Sequence, residues 1–192
     1  MVLTLFSRNR AASSEPLTPG PWPEIGETWM PAGVTVVERY WNEANAVVLV
    51  YSADDTCYHH VVACLGCHFL ADREPERSRE TRLKLNDAAR VANEHAHDCR
   101  ALSRDLPARP DDDTAREQLR TWALSRQSQD KDVEIRLDFF DSFRLMLQRS
   151  NEWIVAELQR LAADRPDTFA VRRGEHGAHT TSFYYVLSPR GQ

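Results

Sequence analysis

Val62-Ala63-Cys64-Leu65-Gly66-Cys67-His68, read together with the later Asn93-Glu94-His95-Ala96-His97-Asp98-Cys99, decides how the middle of this chain folds. A structural zinc site is tetrahedral and takes thiolates and imidazoles, so the chain must deliver four such groups on two short rigid pieces. Two residues between Cys64 and Cys67 let a tight turn aim both sulfurs at one point, with Gly66 expected to relieve an unusual torsion there. His95 and Cys99, four apart, share one face of a helix. The pattern Cys-x2-Cys…His-x3-Cys therefore predicts that Cys64, Cys67, His95 and Cys99 hold one structural Zn2+. His97 lies two residues from Cys99, about 200° around a helix, and is a poor partner for it. His68, directly after Cys67, is placed for a supporting role behind the ligands. Cys57 is an odd number of residues from Cys64, which on a regular strand points the two side chains to opposite faces; it reads as a buried thiol.

Two other chemistries share part of this pattern. Cys64-Leu65-Gly66-Cys67-His68 matches the haem-attachment pattern Cys-x-x-Cys-His, and the Cys64/Cys67 pair matches a redox dithiol. The first expects an export signal, and the second an alternating βαβ pattern; neither is evident here.

Upstream, Val34 to Trp41, Ala46 to Ser52 and Cys57 to Ala63 are β-branched and aromatic runs. Asn42-Glu43-Ala44-Asn45 and Ala53-Asp54-Asp55-Thr56 separate them with turn formers, predicting a three-stranded antiparallel meander. Downstream, Leu85, Ala88, Ala92, His95, Cys99 and Leu102 recur in steps of three and four, one stripe of a helix. Had that helix begun at Pro75, its ligand turn would lie ~33 Å along the axis, beyond the ~27 Å that eight extended residues from Cys67 can reach. A start at Asn86 or Asp87, both good N-caps, satisfies the reach.

The whole chain has 192 residues, 42% of them hydrophobic, enough for a real core. Four segments are expected. Residues 1–28, with Pro16, Pro19, Pro21 and Pro23, read as a flexible arm. Residues 29–106 form the zinc-binding α+β domain, 107–113 a Pro- and Asp-rich linker, and 114–192 a helical domain ending in a β-hairpin. In the last, Thr114-Ala115-Arg116-Glu117 reads as a capping box. Helices are expected near 115–127, 133–149 and 152–163, with the break between the last two at Ser150-Asn151. Strands are expected at Thr168–Arg173 and Thr181–Leu187, around a tip holding His176 and His179.

Three helices followed by a hairpin resemble a winged helix, which would make Arg172 and Arg173 a basic wing for nucleic acid. The net charge of −5, from 24 basic and 29 acidic residues, opposes binding to phosphate backbones and anionic membranes in general. No apolar run approaches the ~20 residues of a membrane span, and the opening Met1–Phe6 is too short to be a secretory signal, so the expected location is the cytoplasm.

The blocks Val62–Cys67 and Ala92–Ala101 are similar to the two motif blocks of small, mostly uncharacterised actinobacterial zinc-finger-like proteins, often carried on plasmids or integrated elements. The resemblance covers about forty residues and implies the same four ligands, Cys64, Cys67, His95 and Cys99. It departs from that pattern at His68, where glycine commonly follows the second cysteine, and in its long charged connection before the helix. It implies no settled activity. Without a phosphate-cradling Gly-rich loop or a Gly-x-Ser-x-Gly elbow, the chain assigns no catalytic residue. The leading expectation is a non-enzymatic zinc-stabilised binding protein that meets another protein or a second copy of itself. A DNA-binding transcriptional regulator of a mobile element is the first alternative. A zinc-dependent hydrolase using Glu94 is the second.

Overall fold

The computed structural model describes residues 26, 28–53, 59–73, 82–176 and 179–189. The arm up to residue 25 and Cys57 lie outside them, as does most of the connection before the ligand helix. The fold is α+β. Strands β1 (Val34–Trp41), β2 (Val47–Ala53), β3 (Val61–Cys64) and β4 (Leu70–Ala71) form an antiparallel meander in the order β1-β2-β3-β4. The sheet thus has one strand more than the three expected. The added strand is two residues long, too short to leave a pattern, and is specified by pairing Ala63 with Leu70 and Val62 with Ala71.

All seven residues of β2 are buried. This explains their unbroken apolar run, since a strand covered on both faces does not alternate. On one face, Val48, Val50, Val62 and Cys64 pack against helix α1 (Leu85–Asp98) through Ala88, Val91, Ala92 and Ala96. Three of those four helix residues are alanines, which let the helix lie close to the sheet. On the other face, Val47, Leu49, Tyr51, Val61 and Ala63 are covered by Leu145, with Trp29 and Leu65 at the margin.

Helix α1 begins after Lys84, whose side chain makes no cap hydrogen bond. The expected caps Asn86 and Asp87 fall inside the first turn, where the Asp87 carboxylate still complements the helix dipole. What sets the start is tertiary: buried Leu83 accepts at its carbonyl from the His60 N–H, 2.9 Å away, which anchors the chain to the sheet just before the helix. Leu102, expected on the helical stripe, lies beyond the helix end and is 73% exposed.

The second half contains α2 (Asp112–Leu124), β5 (Val133–Ile135), a 3-10 helix over Leu137–Phe143, the short α3 (Arg144–Leu147), α4 (Asn151–Asp164) and the hairpin β6 (Phe169–His176) and β7 (His179–Val186). Its sheet has the order β5-β7-β6. Asp111, not Thr114, caps α2, accepting from the Thr114 N–H at 2.7 Å. Ser150 caps α4 by accepting from the Trp153 N–H, at the expected break. The helix expected over 133–149 is not formed. Val133, Glu134 and Ile135 instead pair with Val186, Tyr185 and Tyr184, and helix proper is confined to four residues ending at Gln148 in a left-handed conformation. Cross-strand pairing and burial of Ile135 outweigh the local helical pattern. Phe140 and Ile154 are fully buried in the core of this half, whereas Met146 is 51% exposed.

The two halves meet across the sheet's second face. Tyr51 donates to the Asp141 carbonyl at 2.9 Å, and Arg82 forms an ion pair with the Asp141 carboxylate at 2.7 Å. Gly33, with φ +81°, passes so close to Arg149 that a Cβ there would lie 2.0 Å from its carbonyl oxygen. Buried Arg149 in turn donates to the Pro110 carbonyl and the Asp112 carboxylate, and Gln148 donates to the Pro107 carbonyl. Because the Arg82–Asp141 pair is largely shielded from water, Asp141→Ala removes a 2.7 Å carboxylate partner from a poorly solvated cation. A loss of about 3 kcal/mol in urea unfolding is expected. Asp164→Ala, which removes an exposed partner of Arg160, should cost under about 1 kcal/mol.

Candidate metal centre

Strand β3 ends at Cys64, and the chain turns through Leu65-Gly66-Cys67 before re-entering the sheet as β4. The turn is tied at both ends. Leu65 donates to the Val47 carbonyl, Cys64 to the Phe69 carbonyl and His68 back to the Cys64 carbonyl, at 2.9, 2.9 and 3.1 Å. The unusual torsion expected at Gly66 is found instead at His68, with φ +62°. Gly66 is needed for space: a Cβ there would stand 2.7 Å from the Ala46 Cβ and 2.9 Å from the Leu102 carbonyl oxygen.

The other two ligands come from the end of α1. Cys99 is its C-cap, donating its N–H to the His95 carbonyl at 2.8 Å while its own backbone turns extended. The four-residue spacing keeps His95 and Cys99 together, and the extended backbone after Cys99 returns the chain towards the β1–β2 turn.

The donor atoms of Cys64, Cys67, His95 and Cys99 all lie within 4.8 Å of one another. Metal–sulfur bonds of about 2.3 Å and a metal–nitrogen bond of about 2.0 Å give tetrahedral edges of roughly 3.5–3.8 Å. The Cys67 Sγ to His95 Nε2 distance of 3.3 Å is close to such an edge and identifies Nε2 as the ring nitrogen facing the centre. The Phe69 ring lies flat on the imidazole, centroids 4.0 Å apart and planes 10° from parallel, which fixes the plane of the His95 ring.

Backbone donors complete the arrangement. Gly66 N–H points at Cys64 Sγ at 3.4 Å, Phe69 N–H at Cys67 Sγ at 3.4 Å and Ala101 N–H at Cys99 Sγ at 3.5 Å. Each sulfur therefore has an N–H two residues ahead of it, a donor that stabilises the sulfur's anionic form. Burial pushes the Cys64 thiol up to about 11. At Cys99 burial also acts upward, but donation from Ala101 and the Asn42 side chain, with the neighbouring Cys67 and Cys64, brings the thiol below its ordinary value. Burial lowers His95, against the opposing pull of Asp98, favouring the neutral imidazole that a metal needs. The donor set thus fits a single metal ion.

The remaining expected residues fall elsewhere. His68 turns its imidazole to Arg104, with Nε2 2.8 Å from the guanidinium. His97 is exposed on the far side of the helix end. Glu94 pairs with Arg90 on the exposed face of α1 at 3.1 Å, away from the centre. Arg172 pairs with Asp132 and lies over the Tyr185 ring, and Arg173 is exposed beside it. The His176 and His179 backbones pair across the hairpin tip. Asn42, which in sequence reads only as a turn former, is the residue beside the centre that spacing and residue type did not single out.

No family model matches the chain, and neither does any curated protein or solved structure. Among the described residues no helix is long and apolar enough to cross a membrane.

The left-handed torsion at His68 can be tested apart from its side chain. His68→Gly and His68→Ala both remove the contact with Arg104, but only glycine adopts φ +62° without cost. The glycine variant should be more stable than the alanine variant by about 1 kcal/mol in thermal or urea unfolding. Equal stability would mean the turn does not hold this conformation in solution.

Proposed function

We propose that the chain is a non-enzymatic binding protein whose fold is stapled by one structural Zn2+ on Cys64, Cys67, His95 and Cys99. The observation that carries this reading is the set of four convergent protein donors. Four protein ligands fill a tetrahedral shell, whereas catalytic zinc keeps a position open for water or substrate. Glu94, the carboxylate nearest in sequence that could have served as a base, is engaged by Arg90 instead. Three thiolates and an imidazole are a donor set suited to zinc in preference to hard cations such as Mg2+ or Ca2+. Its contribution would be to folding: it staples the β3–β4 turn to the end of α1.

A protein-binding role is supported by the surface next to the centre. Leu70 on edge strand β4 and Met146 on α3 are 45% and 51% exposed, and they flank a groove that also takes in Phe69, Pro107 and Leu145. Two large apolar side chains presented beside a rigid metal-stapled turn suit a protein contact better than phosphate recognition. Leu70→Glu combined with Met146→Glu should leave metal content and melting unchanged and abolish self-association or partner capture, measured by light scattering and by affinity purification with the wild type in parallel. Wild-type protein that stays monomeric and captures nothing would remove the support for this reading.

A DNA-binding regulator is the second reading, favoured by the order of the second half: α2, β5, α3, α4 and then a hairpin whose sheet runs β5-β7-β6. Its charges speak against it. On α4, Arg160 is neutralised by Glu157 and Asp164, and Arg172 of the hairpin by Asp132. Gel shifts at low and moderate salt separate the two readings: a DNA binder loses affinity steeply with salt and loses it again with Arg172→Ala and Arg173→Ala, whereas the protein-binding reading expects no shift.

A further inference from the structure

The turn between β1 and β2 sits directly over the chain leaving the metal centre. Asn42, only 4% exposed, uses its Oδ1 to accept from the Ala44 and Ala46 N–H groups at 2.9 and 2.8 Å. With its oxygen committed to its own turn, the amide cannot rotate, and its nitrogen is held facing outward. That nitrogen donates to the Ala101 carbonyl at 2.8 Å, and the Ala101 N–H in turn points at the Cys99 sulfur at 3.5 Å. Two more contacts clamp the same segment to the turn: Ser103 donates to the Asn45 carbonyl at 2.6 Å, and Arg100 pairs with Glu43 at 3.3 Å on the surface.

Cys99 needs such help more than Cys64 or His95 does. Cys64 ends a buried strand, and His95 lies within α1, but Cys99 is the C-cap with an extended backbone, so helical rigidity ends before it. Three thiolates around one divalent ion also leave a net negative charge, which N–H donors spread and stabilise.

We propose that Asn42 is a positioning residue of this metal centre: its fixed carboxamide holds Ala101, whose N–H faces the Cys99 sulfur, so that zinc affinity depends on the β1–β2 turn. This rests on the zinc reading of the four donors.

Asn42→Asp separates the two roles of the side chain. It keeps oxygens for Ala44 and Ala46 but places an anionic acceptor where a donor faced the Ala101 carbonyl. Ser103→Ala serves as the control, because it removes another contact of the same segment to the turn without touching Ala101. Zinc affinity is measured by competition with a chromogenic chelator on the full chain, and the thiolate-to-cobalt charge-transfer bands are recorded with Co2+ at saturation. Asn42→Asp should weaken zinc binding by about 10- to 100-fold and shift those bands, while Ser103→Ala leaves both essentially unchanged. Independently of any variant, the Asn42 side-chain amide protons of the wild type should move in NMR spectra and become protected from exchange on zinc addition.

If the wild type binds zinc but Asn42→Asp matches Ser103→Ala in affinity and spectrum, or if the Asn42 amide resonances ignore the metal, the role of Asn42 is overturned while the zinc reading stands. A wild-type chain that binds neither ion overturns both.

Discussion

The convergence of four donor atoms within 4.8 Å constrains everything around it. It requires β3 to end where α1 ends, so α1 must cross the sheet with its last turn over the β3–β4 turn. The alanines at 88, 92 and 96 permit the close approach that this demands, and the helix must start late because the chain between Cys67 and α1 has a finite reach. A sheet with a single helix on one face buries a modest core. A metal ion held by these four donors would cross-link β3, the turn and the helix end and add cohesion beyond apolar contact.

The opposite face of the sheet depends on a different kind of contact. Leu145 fills the apolar face, while Tyr51 and Arg82 both reach Asp141, one at its carbonyl and one at its carboxylate. The same region carries two buried arginines, Arg144 and Arg149, whose guanidinium groups are spent largely on backbone carbonyls and on Asn151 and Asp112. Arg149 and Gln148 tie the irregular stretch around Pro107 and Pro110 to the end of α3. β2 is enclosed on both sides, and the Cys64–Cys67 turn stands at the edge of the sheet, with Leu70 and Met146 exposed beside it.

Much of the site was legible in sequence because its logic is local. The Cys-x2-Cys turn and the four-residue step to Cys99 are spacings that geometry reads directly, and chain reach alone excluded a helix from Pro75. The long runs of β1 and β2 and the Ser150 cap were legible for the same reason. What escaped was set by tertiary partners. Val133–Ile135 looks like the start of a helix until β7 is beside it. Strand β4 is too short to carry a pattern. Gly66 was assigned a torsion when its real constraint is the nearness of Ala46 and Leu102, and the torsion belongs to His68. Asn42 is the clearest case: among turn formers it looks ordinary, and only the folded chain brings its amide to Ala101, beside Cys99.

Native mass spectrometry of the protein purified without added metal, combined with circular dichroism before and after chelation, tests the central claim most directly. One zinc per chain, lost together with the folded structure when a chelator is added, is the result this account predicts. Protein that carries no metal and keeps its fold, or that keeps its zinc when Cys99 is replaced by alanine, would contradict it.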